Sequence, residues 1–263
     1  MLEGIRFFNL GPSMLISRAK PWICTAVAVF WLLLAFASSR MAAPPDLSIP
    51  AAVGSFASMF AVLVLAVVFT ASTARLSESV TDGLSLDSLT AAARVRRVFT
   101  ADFLRRDGAA VASAGKAVKA GLVAGLTMTF AGILLSSGVS YLLREMGYDA
   151  AQQEVADVFV TGGVGLRCVL FAILVVFTPF VEELFFRYAT AYTLEGALRN
   201  RRIAEVITAV VFALMHANAV AFLPLVIVSL CCSAVYRRTG NFLSPVVAHS
   251  FFNLVSIVVL LLS

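Results

Sequence analysis

Phe180-Val181-Glu182-Glu183-Leu184-Phe185-Phe186-Arg187 sets two adjacent carboxylates and one guanidinium inside an otherwise apolar run. A charge at the centre of a membrane helix costs about 2.5–3.5 kcal/mol on insertion scales, so such residues serve a site and come with partners. Helical spacing divides the three groups. Glu183 and Arg187 are four apart and share a face, whereas Glu182 points about 100° away from Glu183. Arg187 is therefore expected to neutralise Glu183 and leave Glu182 free.

The surrounding chain is that of a membrane protein. Of 263 residues 60% are hydrophobic and 13% charged, and the mean hydropathy is +0.95, more apolar surface than a soluble globule can cover. The net charge of +5 reads as cytoplasmic loops, because no basic stripe with interleaved aromatics marks a nucleic-acid footprint. Cys24, Cys168, Cys231 and Cys232 all fall in apolar runs without a C-x-x-C pair, and read as small buried fillers with no chemistry.

Seven apolar runs are expected to span a hydrocarbon core of about 30 Å, at residues 22–37, 52–71, 120–143, 166–198, 203–217, 220–236 and 242–262. The first follows Arg6, Arg18 and Lys20 and resembles a signal peptide, but so many spans follow that an uncleaved helix is the reading taken. A polar stretch, 73–119, contains an amphipathic segment, 84–106, suited to the membrane surface. Gly121 and Gly125 form a G-x-x-x-G spacing that lets helix backbones approach.

An acidic loop at 144–165 reads as extracytoplasmic. With the N-terminus inside, sixteen of the twenty Lys and Arg residues fall on the cytoplasmic side and three, Arg40, Arg144 and Arg167, on the other. The expected fold is an all-α polytopic membrane bundle in the cell membrane. Its catalytic core is expected at 161–263, and helices of unknown role at 1–160.

Both histidines of the chain, His216 and His249, lie in predicted spans. Phe212 and His216 share a helix face, and so do His249 and Asn253. Measured from Arg201 by helix rise, Glu182 lies about 28 Å away and His216 about 22 Å away on antiparallel helices, so the two can meet. From Asn241, His249 and Asn253 lie only about 12 and 18 Å deep, and agreement requires tilt. Pro179 is expected to kink its helix and open room for water.

A carboxylate beside an imidazole in an apolar bundle can polarise a water as general base and then act as general acid. A second imidazole with a neighbouring amide can donate to the oxyanion formed when water adds to a peptide carbonyl. Glu182, His216 and His249 are equally a fitting first shell for zinc. The structural alternatives are a buried ion pair for Glu183 and Arg187, packing for Phe212, and a helix cap for Asn218.

These residues resemble a known family. Glu182-Glu183-Leu184-Phe185-Phe186-Arg187 is similar to its E-E-x-x-x-R motif, Phe212-Ala213-Leu214-Met215-His216 to its F-x-x-x-H motif, and His249-Ser250-Phe251-Phe252-Asn253 to its H-x-x-x-N motif. The family is the CAAX protease and bacteriocin-processing (CPBP, or ABI) family of intramembrane endopeptidases, which includes the type II CAAX prenyl endopeptidases. The resemblance covers roughly 166–262 and implies little for the first 160 residues beyond extra helices. It implies that Glu182 and His216 activate water, that His249 and Asn253 hold the oxyanion, and that Glu183 and Arg187 support them. Members have been described both as metalloproteases and as glutamate-dependent enzymes. The metal-free version is favoured here because Asn253 is a poor zinc ligand and a good oxyanion donor.

The expected activity is hydrolysis of a membrane-associated or lipidated peptide. A carrier that relays protons through Glu182 and the histidines, or a peptide-export scaffold, is the alternative, although no inverted repeat supports a carrier.

Overall fold

The computed structural model describes residues 49–50, 53–54, 56–58, 60–61, 112–148 and 162–262. The predicted span 22–37, most of 52–71, the amphipathic segment 84–106, the greater part of the acidic loop and Cys24 lie outside these residues.

Helix α1, Ala114–Glu145, carries 32 residues and is about 48 Å long, more than a bilayer core requires. A continuous helical run follows from Val164 to Leu198. It comprises α2 (Val164–Ala172), a π turn (Ile173–Phe177), α3 (Thr178–Glu183), a second π turn (Leu184–Thr190) and α4 (Ala191–Leu198). The run stops at Arg199, which adopts a left-handed φ of 54°. Asn200 then caps α5, Arg201–Met215, its side chain accepting from Ile203 N at 3.2 Å.

Helix α5 ends in a three-residue connection, His216 to Asn218. Ala217, at φ 48°, turns the chain, and Asn218 caps α6, Ala219–Thr239, by accepting from Ala221 N at 2.9 Å. Asn218 is thus the helix cap that its position suggested. Gly240, at φ 62°, closes α6, and Asn241 starts α7, Leu243–Leu262, by accepting from Leu243 N at 2.9 Å.

Four helical segments are long and apolar enough to cross a membrane: Ala114–Glu145, Val164–Arg187, Ala219–Thr239 and Leu243–Leu262. They coincide with the third, fourth, sixth and seventh predicted spans. The fifth predicted span corresponds to α5, whose 15 residues rise only about 22 Å. It packs against α4 and α6.

The helices share a core of Met128, Phe185, Phe186, Phe212, Val228 and Tyr236. Helix α1 lies along α7, and the two glycines of its G-x-x-x-G spacing supply the close approach. A Cβ on Gly121 would meet the Ser244 carbonyl oxygen at 2.7 Å, and one on Gly125 would meet Phe251 Cβ at 2.9 Å. Ala112 N donates to Thr239 O at 2.8 Å and Asn241 Nδ2 donates to Ala112 O at 3.0 Å. These bonds bring the starts of α1 and α7 together, so the two helices run parallel. At the same end Glu205 on α5 accepts from Arg201 at 3.2 Å and from Arg237 of α6, tying those helices with charge.

The cysteines depart from the expectation of uniform burial. Cys232 is fully buried, Cys231 is half-buried, and Cys168 is exposed. Cys168 sits on a face of α2 turned away from the core. Where the surroundings are lipid, an outward thiol costs little.

The glycine seam is directly testable. Gly121→Ala drives a methyl into a backbone carbonyl that cannot move aside, and is expected to cost about 1–3 kcal/mol. Gly138→Ala, on the same helix with nothing within 4 Å of the added atom, is expected to stabilise by about 0.5–1 kcal/mol. Unfolding of the two variants in detergent, followed by circular dichroism, measures both, and equal effects would refute the packing.

Candidate active site

The centre of the bundle holds a buried ion pair. Glu183 is 0% and Arg187 2% exposed, and the i,i+4 spacing brings Arg187 Nε to Glu183 Oε2 at 2.7 Å and Nη2 to Oε1 at 3.3 Å. Burying both charges carries a heavy desolvation cost, recovered only when every donor and lone pair finds a partner. Arg187 Nη1 finds two, donating to Ser229 Oγ and Ser233 Oγ of α6, each at 3.0 Å. These serines were not among the residues singled out from the sequence. Their signal is an i,i+4 hydroxyl pair in an apolar helix, which becomes meaningful once a buried cation is known to face it.

The second oxygen of Glu183 has a further role. His249 Nδ1 lies 3.0 Å from Glu183 Oε1. An ionised carboxylate only accepts, so this bond assigns a hydrogen to Nδ1 and turns Nε2 outward. Nε2 then lies 3.8 Å from Glu182 Oε2, too far for a direct hydrogen bond. Glu182 forms no hydrogen bond among the described residues and remains 14% exposed, against 0% for Glu183. The two adjacent carboxylates are thus separated by role, one satisfied and one free.

Phe212 joins the two histidines. Its ring is fully buried, 5.7 Å from the His249 ring, 4.9 Å from the His216 ring and 5.0 Å from Phe186. Its backbone carbonyl accepts from His216 Nδ1 at 2.8 Å. A carbonyl has no hydrogen to give, so His216 carries its own on Nδ1 and presents the Nε2 lone pair. His216 caps the end of α5 rather than lying within it. Among the described residues it reaches the cluster through Phe212.

The imidazole that approaches Glu182 is accordingly His249, whereas helix rise paired Glu182 with His216. The second π turn, whose wider turn holds more residues, shortens the path from Arg201 back to Glu182. The partner, however, is set by docking between helices: His249 is held here by its 3.0 Å bond to Glu183, a contact that rise along one helix does not report.

Asn253 lies one turn beyond His249 on α7, and its Nδ2 donates to the Leu174 carbonyl at 2.8 Å. Of the six candidate residues, Glu182, Glu183, Arg187 and His249 form one connected cluster. Asn253 and His216 flank it. The three side chains of the zinc alternative do not converge: Glu182 and His249 face each other, but among the described residues no group of three His, Cys, Asp or Glu side chains forms a ligand set. The geometry therefore gives no metal-bound step to derive.

Comparison with known proteins agrees with the three motifs. Residues 164–255 match the family model described as type II CAAX prenyl endopeptidase Rce1-like, and this stretch contains all six candidate residues. The chain is also 36% identical over 83 residues to the UPF0177 protein YxdF of Lactococcus lactis subsp. lactis (strain IL1403). That alignment covers 31% of this chain and 45% of the relative, so the chain spans less than half the length of the curated protein it matches. No solved structure matches. Over residues 164–255 the chain is similar to the Rce1-like type II CAAX prenyl endopeptidases, the family its three motifs announce.

Proposed function

We propose that this protein is a multi-pass intramembrane endopeptidase of the cell membrane, hydrolysing a peptide bond in a membrane-associated or lipidated substrate. The observation that carries the reading is the split between neighbouring carboxylates. Glu183 is fully engaged by Arg187 and His249, while Glu182 faces His249 Nε2 without a direct bond.

Glu182 takes a proton from water as the water oxygen attacks the peptide carbonyl, assisted by the Nε2 lone pair of His216. The carbonyl oxygen becomes an oxyanion. It accepts from His249 in its imidazolium form, whose Nε2–H donates to it while Nδ1–H stays bonded to Glu183, and from the Asn253 amide hydrogen not directed at Leu174. The C–N bond then breaks, and Glu182 returns its proton to the leaving amine. Arg187, held by Ser229 and Ser233, keeps Glu183 ionised and so keeps His249 oriented. We favour this glutamate-type course over a zinc-dependent one on the donor set, since Asn253 suits an oxyanion better than a metal.

Purified full-length protein is expected to cleave a farnesylated peptide ending in a C-a-a-X sequence more readily than its unprenylated counterpart. Glu182→Gln is expected to lower the rate by about 10²–10⁴-fold. Its thermal midpoint should stay near that of the parent, because Glu182 forms no direct hydrogen bond among the described residues. Full activity in this variant would remove Glu182 from the mechanism.

Exhaustive chelation, checked by metal analysis of the same sample, is expected to leave the cleavage rate unchanged. Loss of activity that is restored by added zinc would favour the metalloprotease course.

A further inference from the structure

Pro179 leaves a gap in the backbone bonding of the carboxylate-bearing helix. In the first π turn the bonds run five residues back, and Thr178 N donates to Ile173 O. The next bond in that register belongs to the Leu174 carbonyl and the nitrogen of residue 179. Residue 179 is proline and has no hydrogen to give. In an apolar environment an unpaired carbonyl is costly, and a proline inside a membrane helix persists where a neighbour re-satisfies the freed group.

The neighbour here is Asn253, whose Nδ2 reaches the Leu174 oxygen at 2.8 Å from the opposite helix. Water is the occupant expected at the Pro179 break. An amide from α7 fills it instead.

The same two elements are joined again further along. His249, one turn before Asn253 on α7, meets Glu183 at 3.0 Å and Glu182 at 3.8 Å, and both carboxylates lie C-terminal to Leu174. The two contacts run in opposite chain directions, as rungs between antiparallel helices. We propose that Asn253, besides its role as oxyanion donor, is a positioning residue. By supplying the hydrogen bond that Pro179 withholds, it fastens the first π turn to α7 and fixes the separation of Glu182 from His249. The catalytic part of this inference rests on the protease reading, but the bond itself does not.

A double-mutant cycle tests it with full-length protein in detergent. Asn253→Ala leaves the Leu174 carbonyl unpaired and is expected to lower the thermal midpoint by roughly 3–8 °C. Pro179→Ala restores a backbone N–H, so Asn253→Ala made in that background is expected to lower the midpoint by less than half as much. Equal losses in the two backgrounds would overturn the proposal. If Pro179→Ala does not yield folded protein, Pro179→Leu restores the same N–H and completes the cycle.

Cleavage of the farnesylated peptide supplies the second readout. Part of the kcat lost in Asn253→Ala is expected to return in the Pro179→Ala background with KM unchanged, whereas a residue acting only as oxyanion donor loses the same kcat in both. The thermal arm needs no proteolysis. An inactive parent protein would therefore count against the protease reading while the cycle still decides the role of Asn253.

Discussion

The buried pair of Glu183 and Arg187 is the constraint on which the rest of the site depends. Two full charges at 0% and 2% exposure are tolerable only if each hydrogen-bonding position is filled, because an unpaired charge in a low-dielectric interior costs several kcal/mol. Filling those positions draws in four elements. Helix α3 and the second π turn bring the pair itself, α6 brings Ser229 and Ser233, and α7 brings His249. A requirement of charge balance is thereby converted into a fixed arrangement of helices. Changing either partner would disturb the orientation of His249 as well as the packing.

This arrangement also explains how neighbouring residues of one type take different parts. Glu182 and Glu183 differ by one helical step, which turns one carboxylate into the ion pair and leaves the other toward the imidazole. Phe212 performs the corresponding task for the histidines. Its carbonyl holds His216, its ring packs against both imidazoles, and its full burial keeps them from drifting. A residue that reads as core packing is therefore core packing and orientation together.

The departures from regular α-helix are concentrated in the run that bears the carboxylates. Two π turns lie on either side of Thr178–Glu183, and such turns often accompany functional sites because they redirect side chains without ending a helix. The first turn hands the Leu174 carbonyl to Asn253. The second shortens the path from Glu182 to the Arg201 end of α5. Meanwhile Gly121 and Gly125 let α1 lie close along α7, so a segment without any of the three motifs braces the helix that carries His249 and Asn253.

Local chemistry alone determined several of these features. An apolar composition with charges gathered between long hydrophobic runs already required membrane helices, and the four segments among the described residues that are long and apolar enough to cross a membrane fall where those runs are. The i,i+4 spacing of Glu183 and Arg187 made their pairing readable, as did the capping role of Asn218, because both involve neighbours on one element. What only the tertiary structure decided involves partners far apart in the chain: the serines that hold Arg187, the α7 partner of Gly121 and Gly125, the choice of His249 over His216 beside Glu182, and the bond from Asn253 to Leu174. The reason is physical. Helix periodicity fixes which residues share a face, but π turns change the register along a helix, and which face meets which neighbour depends on how buried charges and freed carbonyls across the whole bundle are satisfied together.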